Sequence, residues 1–466
     1  MSTKAKFQAI RGTRDLFPPE TALWNGVEQT AHEVFSTYGF GEIRTPVIEP
    51  TELFARAVGG DTDIVSKEMF SFTDPANIMK NLAQEALEAG LGVDMVNFEQ
   101  KFRSSVEEKI QFISLRPEAT ASVCRAYIEH GMQQLPQPVK LYYMGPMFRR
   151  ERPQKGRYRQ FYQIGAEVLG GTDAPAIDAE LIEMLMTFFA KLGLEGTTLD
   201  INSIGHAADN CRRGYVTKLR AELEKVKDKL GADSQRRIET NPLRVLDSKL
   251  EHEQPIIAAL PRIADSLCDD CKTHYAAVKR ELDLRGVKYQ ENWRLVRGLD
   301  YYMRTTFEIT ARGLGSQNAV CGGGRYDGLV ELLGGPPTKG IGFAIGEDRL
   351  ILSLQEQAKE VASGERRVAS LRPAIDVYVA WMGDGAYATA LRAAKTLRAN
   401  GVRVEMPATE LKFGKALERA SKLGARFALI LGDNEVTSGE WTLKNLANAE
   451  QQKLNEQALL EYLRKS

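Results

Sequence analysis

Residues 144–167 read Met-Gly-Pro-Met-Phe-Arg-Arg-Glu-Arg-Pro-Gln-Lys-Gly-Arg-Tyr-Arg-Gln-Phe-Tyr-Gln-Ile-Gly-Ala-Glu, and they set six cationic side chains between two apolar, aromatic-rich flanks. The preceding Leu141-Tyr-Tyr-Met-Gly-Pro-Met-Phe reads as one strand and Gln160 to Leu169 as another, with Arg-Pro-Gln-Lys-Gly-Arg as the loop of a hairpin. Side chains alternate faces along a strand. Tyr143, Met147 and Arg149 therefore share one side of the first strand, and Phe161, Gln163, Gly165 and Glu167 share one side of the second. A guanidinium, a ring, an amide and a carboxylate would then line one pocket. The guanidinium can fork onto a phosphate, the ring can stack on a base, and the carboxylate can hold a cationic or NH-bearing group. The chain as a whole balances 62 basic against 62 acidic residues, so this local excess is not inherited from composition and points to a polyanion rather than to a merely solvated surface.

With 466 residues, 43% of them hydrophobic, the chain can bury more than one core. No apolar run approaches the roughly 18 residues needed to span a bilayer. Met1 to Lys6 is too short and too polar for a targeting peptide, and five cysteines (Cys124, Cys211, Cys268, Cys271, Cys321) do not make a disulfide framework, so a cytoplasmic location is expected. Cys268-Asp-Asp-Cys271 followed by His274 has ligand-like spacing, and Cys211 or His252 can be imagined as a fourth ligand. Without a second paired motif the thiols read as ordinary ones, and no structural zinc is expected.

The hairpin, with Phe148-Arg149-Arg150-Glu151, its loop and Phe161, resembles motif 2 of the class II aminoacyl-tRNA synthetases. Trp24 to Tyr38 has helical apolar spacing and leads into Gly39 to Pro50, where Ile43, Val47 and Ile48 suggest an extended segment. This resembles motif 1, which implies a homodimer. Gly340-Ile-Gly-Phe-Ala-Ile-Gly-Glu-Asp-Arg-Leu resembles motif 3, a strand running into a helix. The most discriminating segment is Arg297-Gly-Leu-Asp-Tyr-Tyr-Met-Arg-Thr-Thr-Phe-Glu, which is similar to a signature of histidyl-tRNA synthetases and their paralogues.

That resemblance implies an α+β catalytic core, an antiparallel sheet with helices, interrupted by a helical insertion and followed by an α/β anticodon-binding domain. Its segments would be residues 1–202, the insertion at 203–290, the second part of the core at 291–357, a linker at 358–373 and the last domain at 374–466. Lys67 to Thr73 and Ile113 to Thr120 look like consecutive strand segments, so residues 75–112 between them read as an unusual insertion. Ala119 stands where the family pattern has glycine, which is tolerable unless that φ is positive.

The roles implied by the resemblance fall on particular residues. Arg149 and Arg297 would clamp the α-phosphate and serve catalysis. Glu151, Arg157, Phe161 and Arg349 would complete the ATP site, with Arg349 over the adenine and reaching the γ-phosphate. Glu118, Ala119, Thr120, Gln163, Glu167, Tyr301, Tyr302 and Tyr326, with the same two arginines, would hold histidine. Gln154 and Lys155 would meet the acceptor end of the tRNA. Cys321-Gly-Gly-Gly-Arg-Tyr-Asp-Gly lacks the lysine and Ser/Thr of a P-loop, so its glycines are read as letting backbone approach a ligand.

From Ile375 onward the period changes. Strand-like runs at Ile375, Val402 and Phe427 alternate with helices at Gly385–Asn400 and Gly414–Gly424, predicting an α/β domain with a largely parallel sheet. The second helix gathers Lys412, Lys415, Arg419, Lys422 and Arg426 into a stripe away from Leu417 and Ala420. Such a stripe is either a solvated face or, by resemblance, an anticodon-side contact of Lys412, Lys415 and Arg419. The expected activity is ATP-dependent activation of L-histidine and its transfer to tRNA(His), with Mg²⁺ carried on the β- and γ-phosphates and no metal site assigned to protein side chains. The competing expectation is a non-catalytic regulatory paralogue of histidine biosynthesis. Such paralogues usually lose motif arginines and the anticodon domain, whereas this chain has Arg149, Arg297, Arg349 and a C-terminal domain.

Overall fold

The computed structural model describes residues 7–60, 62, 64–73, 112–299, 301–312, 318–362 and 375–465. The expected insertion at 75–112 lies outside these residues, apart from Phe112, which begins a strand. The chain divides into two compact units, with the main division falling between Ala362 and Ile375 and with residues 17–23 grouped with the second unit.

The first unit is built on an eight-stranded sheet. Its strands in chain order are β1 (Gly41–Glu42), β5 (Val139–Phe148), β6 (Gln160–Leu169), β7 (Thr198–Ser203), β8 (Gln290–Glu291), β9 (Met303–Thr310), β10 (Ala319–Arg325) and β11 (Gly340–Gly346), arranged β1-β5-β6-β11-β10-β9-β7-β8. The predicted hairpin is the β5–β6 pair, antiparallel, with Tyr143 opposite Gly165 and Met147 opposite Phe161. Directly opposed residues share a face, so the alternation expected along each strand holds. The remaining central pairings, from β6 through β11, β10 and β9 to β7, are antiparallel as well. A smaller sheet joins β2 (Ile48–Pro50), β4 (Phe112–Leu115) and β3 (Phe70–Thr73), so the two segments that looked consecutive do pair.

The helix Glu20–Thr37 buries Trp24, Val27, Ala31, Val34 and Phe35, a stripe at steps of three and four. Phe35 packs edge-on against Tyr142 of β5 and Phe343 of β11, which anchors that helix to the sheet. The helix Pro175–Lys191 begins with Pro175 in its first turn, where a missing N–H costs nothing, and buries Leu181, Ile182, Leu185 and Phe188. Behind β10, Arg325 is 1% exposed and forks onto Asp178, which is fully buried, at 2.6–3.1 Å. Asp327 takes a further Nη1 contact at 2.9 Å, so this arginine is a structural tie in the Cys-Gly-Gly-Gly-Arg motif.

Between β7 and β8 the chain is helical, as expected for residues 203–290. The helices Arg212–Glu224, Ala232–Thr240, Gln254–Ala258 and Asp269–Leu284 share a core of Tyr215, Leu219, Leu223, Ile238, Ile257 and Leu267. The helix after β11 runs Glu347–Ala362, so residues 358–362 of the expected linker are helical.

The second unit has a five-stranded sheet, β13 (Val404–Glu405), β12 (Val377–Trp381), β14 (Phe427–Leu431), β15 (Trp441–Asn445) and β16 (Gln451–Leu454) in spatial order. The first two pairings are parallel and the last two antiparallel. The expectation of a largely parallel sheet is corrected by the β15–β16 hairpin, whose polar turn, Leu-Ala-Asn-Ala-Glu, sits between short strands without a strong apolar run. Every residue of β12 is buried, as a strand covered by helices on both sides requires. The helix Phe413–Lys422 buries Ala416 and Ala420, while Leu417 is only half-buried, and it leaves Lys412, Lys415 and Arg419 exposed.

Candidate active site

A cavity of about 780 Å³ opens over the middle of the large sheet. Both hairpin strands reach it through Tyr143, Phe161 and Gln163, together with Arg149, Glu151 and Arg157 of the loop. The helix start Glu118–Thr120 closes one end, and Arg297, Tyr301 and Tyr302 form another wall. Arg349 comes from the helix after β11.

Arg149 is held in place from two sides. Its Nε donates to Pro117 O at 2.9 Å, and its guanidinium lies over the Phe161 ring at 5.2 Å. Glu151 stands between Arg157 at 3.3 Å and Arg149 at 3.9 Å. Arg297 donates from Nη1 to Glu308 at 2.9 Å and stacks over Tyr302 at 5.8 Å. It can lie flat across β10 because residue 322 is glycine: a Cβ there would come within 2.4 Å of the guanidinium. Arg349 donates to Ala319 O at 2.9 Å. Burial first, and then the charge of Arg157, hold its pKa below the usual arginine value, so a polyanion settling between the two arginines would relieve their repulsion.

The acidic end is layered. Glu118 accepts from the backbone N–H of Thr120 at 2.8 Å and of Ala121 at 2.9 Å, capping the helix Thr120–Glu129 while still lining the cavity. Burial raises its pKa against those hydrogen bonds and the charge of Arg149. Ala119 has φ −112°, so the alanine found where the family pattern has glycine adopts an ordinary conformation. Thr120 Oγ1 and Tyr326 Oη both donate to Glu167, at 2.7 and 2.5 Å. Glu167 is 1% exposed, and burial pushes its carboxyl up to about 8 despite these donors. It therefore sits one layer below the cavity wall and acts on it through Thr120; Tyr326, expected in the histidine pocket, is also buried behind the wall rather than lining it. Gly342 is required beside it, since a Cβ there would fall 1.6 Å from Glu167 Oε2. Tyr301 packs against Tyr302 at 4.6 Å and edge-on against Tyr326 at 5.7 Å.

Three buried polar atoms around the cavity close no hydrogen bond: Tyr143 Oη, Gln163 Oε1 and Arg297 Nε. Buried polar groups are satisfied in the great majority of cases, so a cluster of exceptions at one cavity marks where a polar ligand would bind. Gln154 and Lys155 lie outside it, exposed at the hairpin tip, where Gln154 bridges Arg157 and Lys155 pairs with Glu356 at 3.1 Å.

Among the cavity residues not assigned from sequence are one acid and three cations. Glu308 stands in the quoted signature without a role; it lies on β9, 11 residues after Arg297, and nothing in strand alternation alone pairs the two. Arg237, Arg244 and Lys249 of the helical insertion also reach the cavity. Their place over the site comes from tertiary packing that periodicity does not encode.

The model of the family described as histidyl-tRNA synthetase matches residues 83–350, and that of the anticodon binding domain matches residues 376–466. The chain belongs to the histidyl-tRNA synthetase family. It is 50% identical over 465 residues to the histidine–tRNA ligase of Koribacter versatilis (strain Ellin345), covering 98% of this chain and 96% of that one. Against the histidine–tRNA ligase of Solibacter usitatus (strain Ellin6076) the identity is 49%, covering 96% of each. The crystal structure of apo S. aureus histidyl-tRNA synthetase superposes with a TM-score of 0.73 at 34% identity, covering 98% of this chain and all of that one. A Bacillus halodurans C protein described as an ATP phosphoribosyltransferase regulatory subunit/histidyl-tRNA synthetase gives a TM-score of 0.59 at 19% identity, covering 93% of this chain, a likeness of fold alone.

Proposed function

We propose that this chain activates L-histidine with ATP and transfers it to the 3′-terminal adenosine of tRNA(His). The observation that carries the reading is the cavity in which two oriented arginines, Arg149 and Arg297, share space with the Glu118–Thr120 helix start and the Tyr301–Tyr302 wall. The histidine carboxylate attacks the α-phosphate in line, the bond to the bridging oxygen breaks, and pyrophosphate leaves with Mg²⁺, which enters as part of the nucleotide substrate. Charge grows on the equatorial phosphate oxygens during this step, and fixed guanidiniums stabilise it without reorganising. Glu151 and Phe161 hold the adenine, Arg157 and Arg349 the outer phosphates. Glu118 takes the α-ammonium, while Gln163 and Tyr302 face the imidazole and the Glu167–Tyr326 pair supports that wall from the layer beneath. The ribose 3′-hydroxyl then attacks the adenylate carbonyl, and AMP leaves.

In this reading Gln154 and Lys155 meet the tRNA acceptor end, and Lys412, Lys415 and Arg419 its anticodon side. The working form is a homodimer in the cytoplasm. Support for the dimer comes from the small sheet, which leaves Ile48, Phe72 and Phe112 about half exposed at 49–54%. Among the described residues no helix is long and apolar enough to cross a membrane. The test is ATP–pyrophosphate exchange with each amino acid in turn, followed by aminoacylation of tRNA(His). Exchange driven by histidine alone is expected; exchange driven by another amino acid, or none at all, would reject the assignment.

A further inference from the structure

Four potential ligand side chains meet at the base of the helical insertion, away from the cavity. They are His206, Cys211, Cys268 and Cys271, and their donor atoms all lie within 4.8 Å of one another. His206 Nδ1 is 3.1 Å from Cys271 Sγ and 3.7 Å from Cys268 Sγ. In a tetrahedral site with Zn–S of about 2.3 Å and Zn–N of about 2.0 Å, neighbouring donors stand roughly 3.5–3.8 Å apart. The group is therefore close to the separation that one ion would impose, with little movement needed.

The pairing differs from the one that sequence spacing suggested. His274 faces away, its Nε2 3.0 Å from Asp173 O on the side of the Arg325–Asp178 tie. His206, not His252 or His274, supplies the imidazole, giving a His-x₄-Cys pair from the segment entering the insertion and a Cys-x₂-Cys pair from the helix leaving it. Cys211 immediately precedes the helix Arg212–Glu224, and Cys268 immediately precedes Asp269–Leu284, so two of the ligands are fixed where helices begin. Arg304 lies beside Cys271 and would offset the net negative charge of three thiolates and one imidazole on a divalent ion.

We propose that these four residues bind one structural zinc ion, closed to solvent chemistry by its full set of protein ligands, reversing the expectation that the thiols are ordinary. The ion would clip the insertion's first and last segments together. It would also brace the wall of the cavity: Arg304 exchanges backbone hydrogen bonds with Ile204 and Gly205 at 2.8 Å, and Arg212 donates to Tyr302 O at 2.5 Å.

The test is metal analysis of full-length protein prepared under reducing conditions without chelator. About one zinc per chain is expected, and replacement by cobalt should give the thiolate-to-metal charge-transfer bands of a tetrahedral sulfur-rich site. Cys271→Ser and His206→Ala should lose the metal; His274→Gln should keep it. Zinc at about a tenth of equivalence or less, with no charge-transfer band on cobalt titration of the wild type, would overturn the site. So would stoichiometric zinc that survives Cys271→Ser, or a disulfide among the three cysteines in freshly purified protein. The wild-type measurements decide the question even if a variant fails to fold.

Discussion

Two sets of cations in this molecule differ in how they are held. Arg149 and Arg297 are each about one-fifth exposed and are aimed by hydrogen bonds, to Pro117 O and to Glu308. Lys415 and Arg419 are exposed on the helix Phe413–Lys422, and Lys412 is exposed at the residue just before it. The first pair has lost its rotamer freedom in folding, so it can act on a transition state without further ordering. The second set keeps that freedom and is screened by salt, which suits contact with a phosphate backbone that need not be positioned to a fraction of an ångström. Equal charge therefore predicts unequal consequences on removal.

The largest effect is expected at the oriented pair. Arg297→Ala should lower kcat for histidine-dependent pyrophosphate exchange by about 10²-fold or more, because the interaction matters most when charge gathers on the phosphate. Small, parallel rises in KM for ATP and histidine with kcat intact would make Arg297 a structural residue and dissolve the contrast.

The hairpin carrying Arg149 was legible because strand alternation and turn chemistry are local. The same holds for β11 and the helix that follows it, where Gly346 gives way to Glu347, Asp348 and Arg349. What was not legible depends on distance along the chain. Arg325 meets Asp178 and His206 meets Cys268 only after sheet and insertion have formed. Glu167 shows the intermediate case: its face was correct from alternation, but its depth beneath Thr120 and Tyr326 was set by the close packing that Gly342 permits.

Glu167→Gln sharpens the oriented side of the comparison. The carboxyl holds the Thr120 hydroxyl of the cavity wall and the Tyr326 hydroxyl behind it, and with its pKa raised to about 8 it is mostly neutral near pH 7, so its loss should weaken histidine binding by about 0.5–1.5 kcal/mol, the worth of a hydrogen bond between neutral groups. Titration calorimetry with histidine measures it directly. An unchanged dissociation constant would show that the wall stands without this residue.

A third test concerns a buried carboxyl with no hydrogen-bond partner among the described residues. Glu347 is fully buried, neither carboxylate oxygen accepts a hydrogen bond, and burial, with Glu28 and Asp348 nearby, pushes its pKa up to about 9. The folded state thus holds this proton more tightly than the unfolded chain, whose carboxyl titrates near its ordinary value of 4.5. The stabilisation is fully present below that value and is lost as pH rises through about 9. Wild type should therefore fall behind Glu347→Gln in melting temperature between pH 6 and 9, by about 3 °C or more. Parallel melting curves across that range would mean the carboxyl finds a partner in solution.

The smallest effect is expected at the exposed stripe. Charge reversal of Lys415 and Arg419 removes no packed atom, since the buried face of that helix is Ala416 and Ala420, so the fold and the pyrophosphate exchange should both be unaffected. If the stripe lies on tRNA, affinity should fall and its salt dependence should flatten, each lost phosphate contact reducing the slope of log K against log salt by about 0.7–0.9. The comparison to make is tRNA binding at several salt concentrations beside histidine-dependent exchange in the same preparation. Loss of both together would mean that the substitutions damage the protein generally, whereas an unchanged slope would make the stripe a solvated face, leaving the oriented arginines of the cavity as the functional half of the contrast.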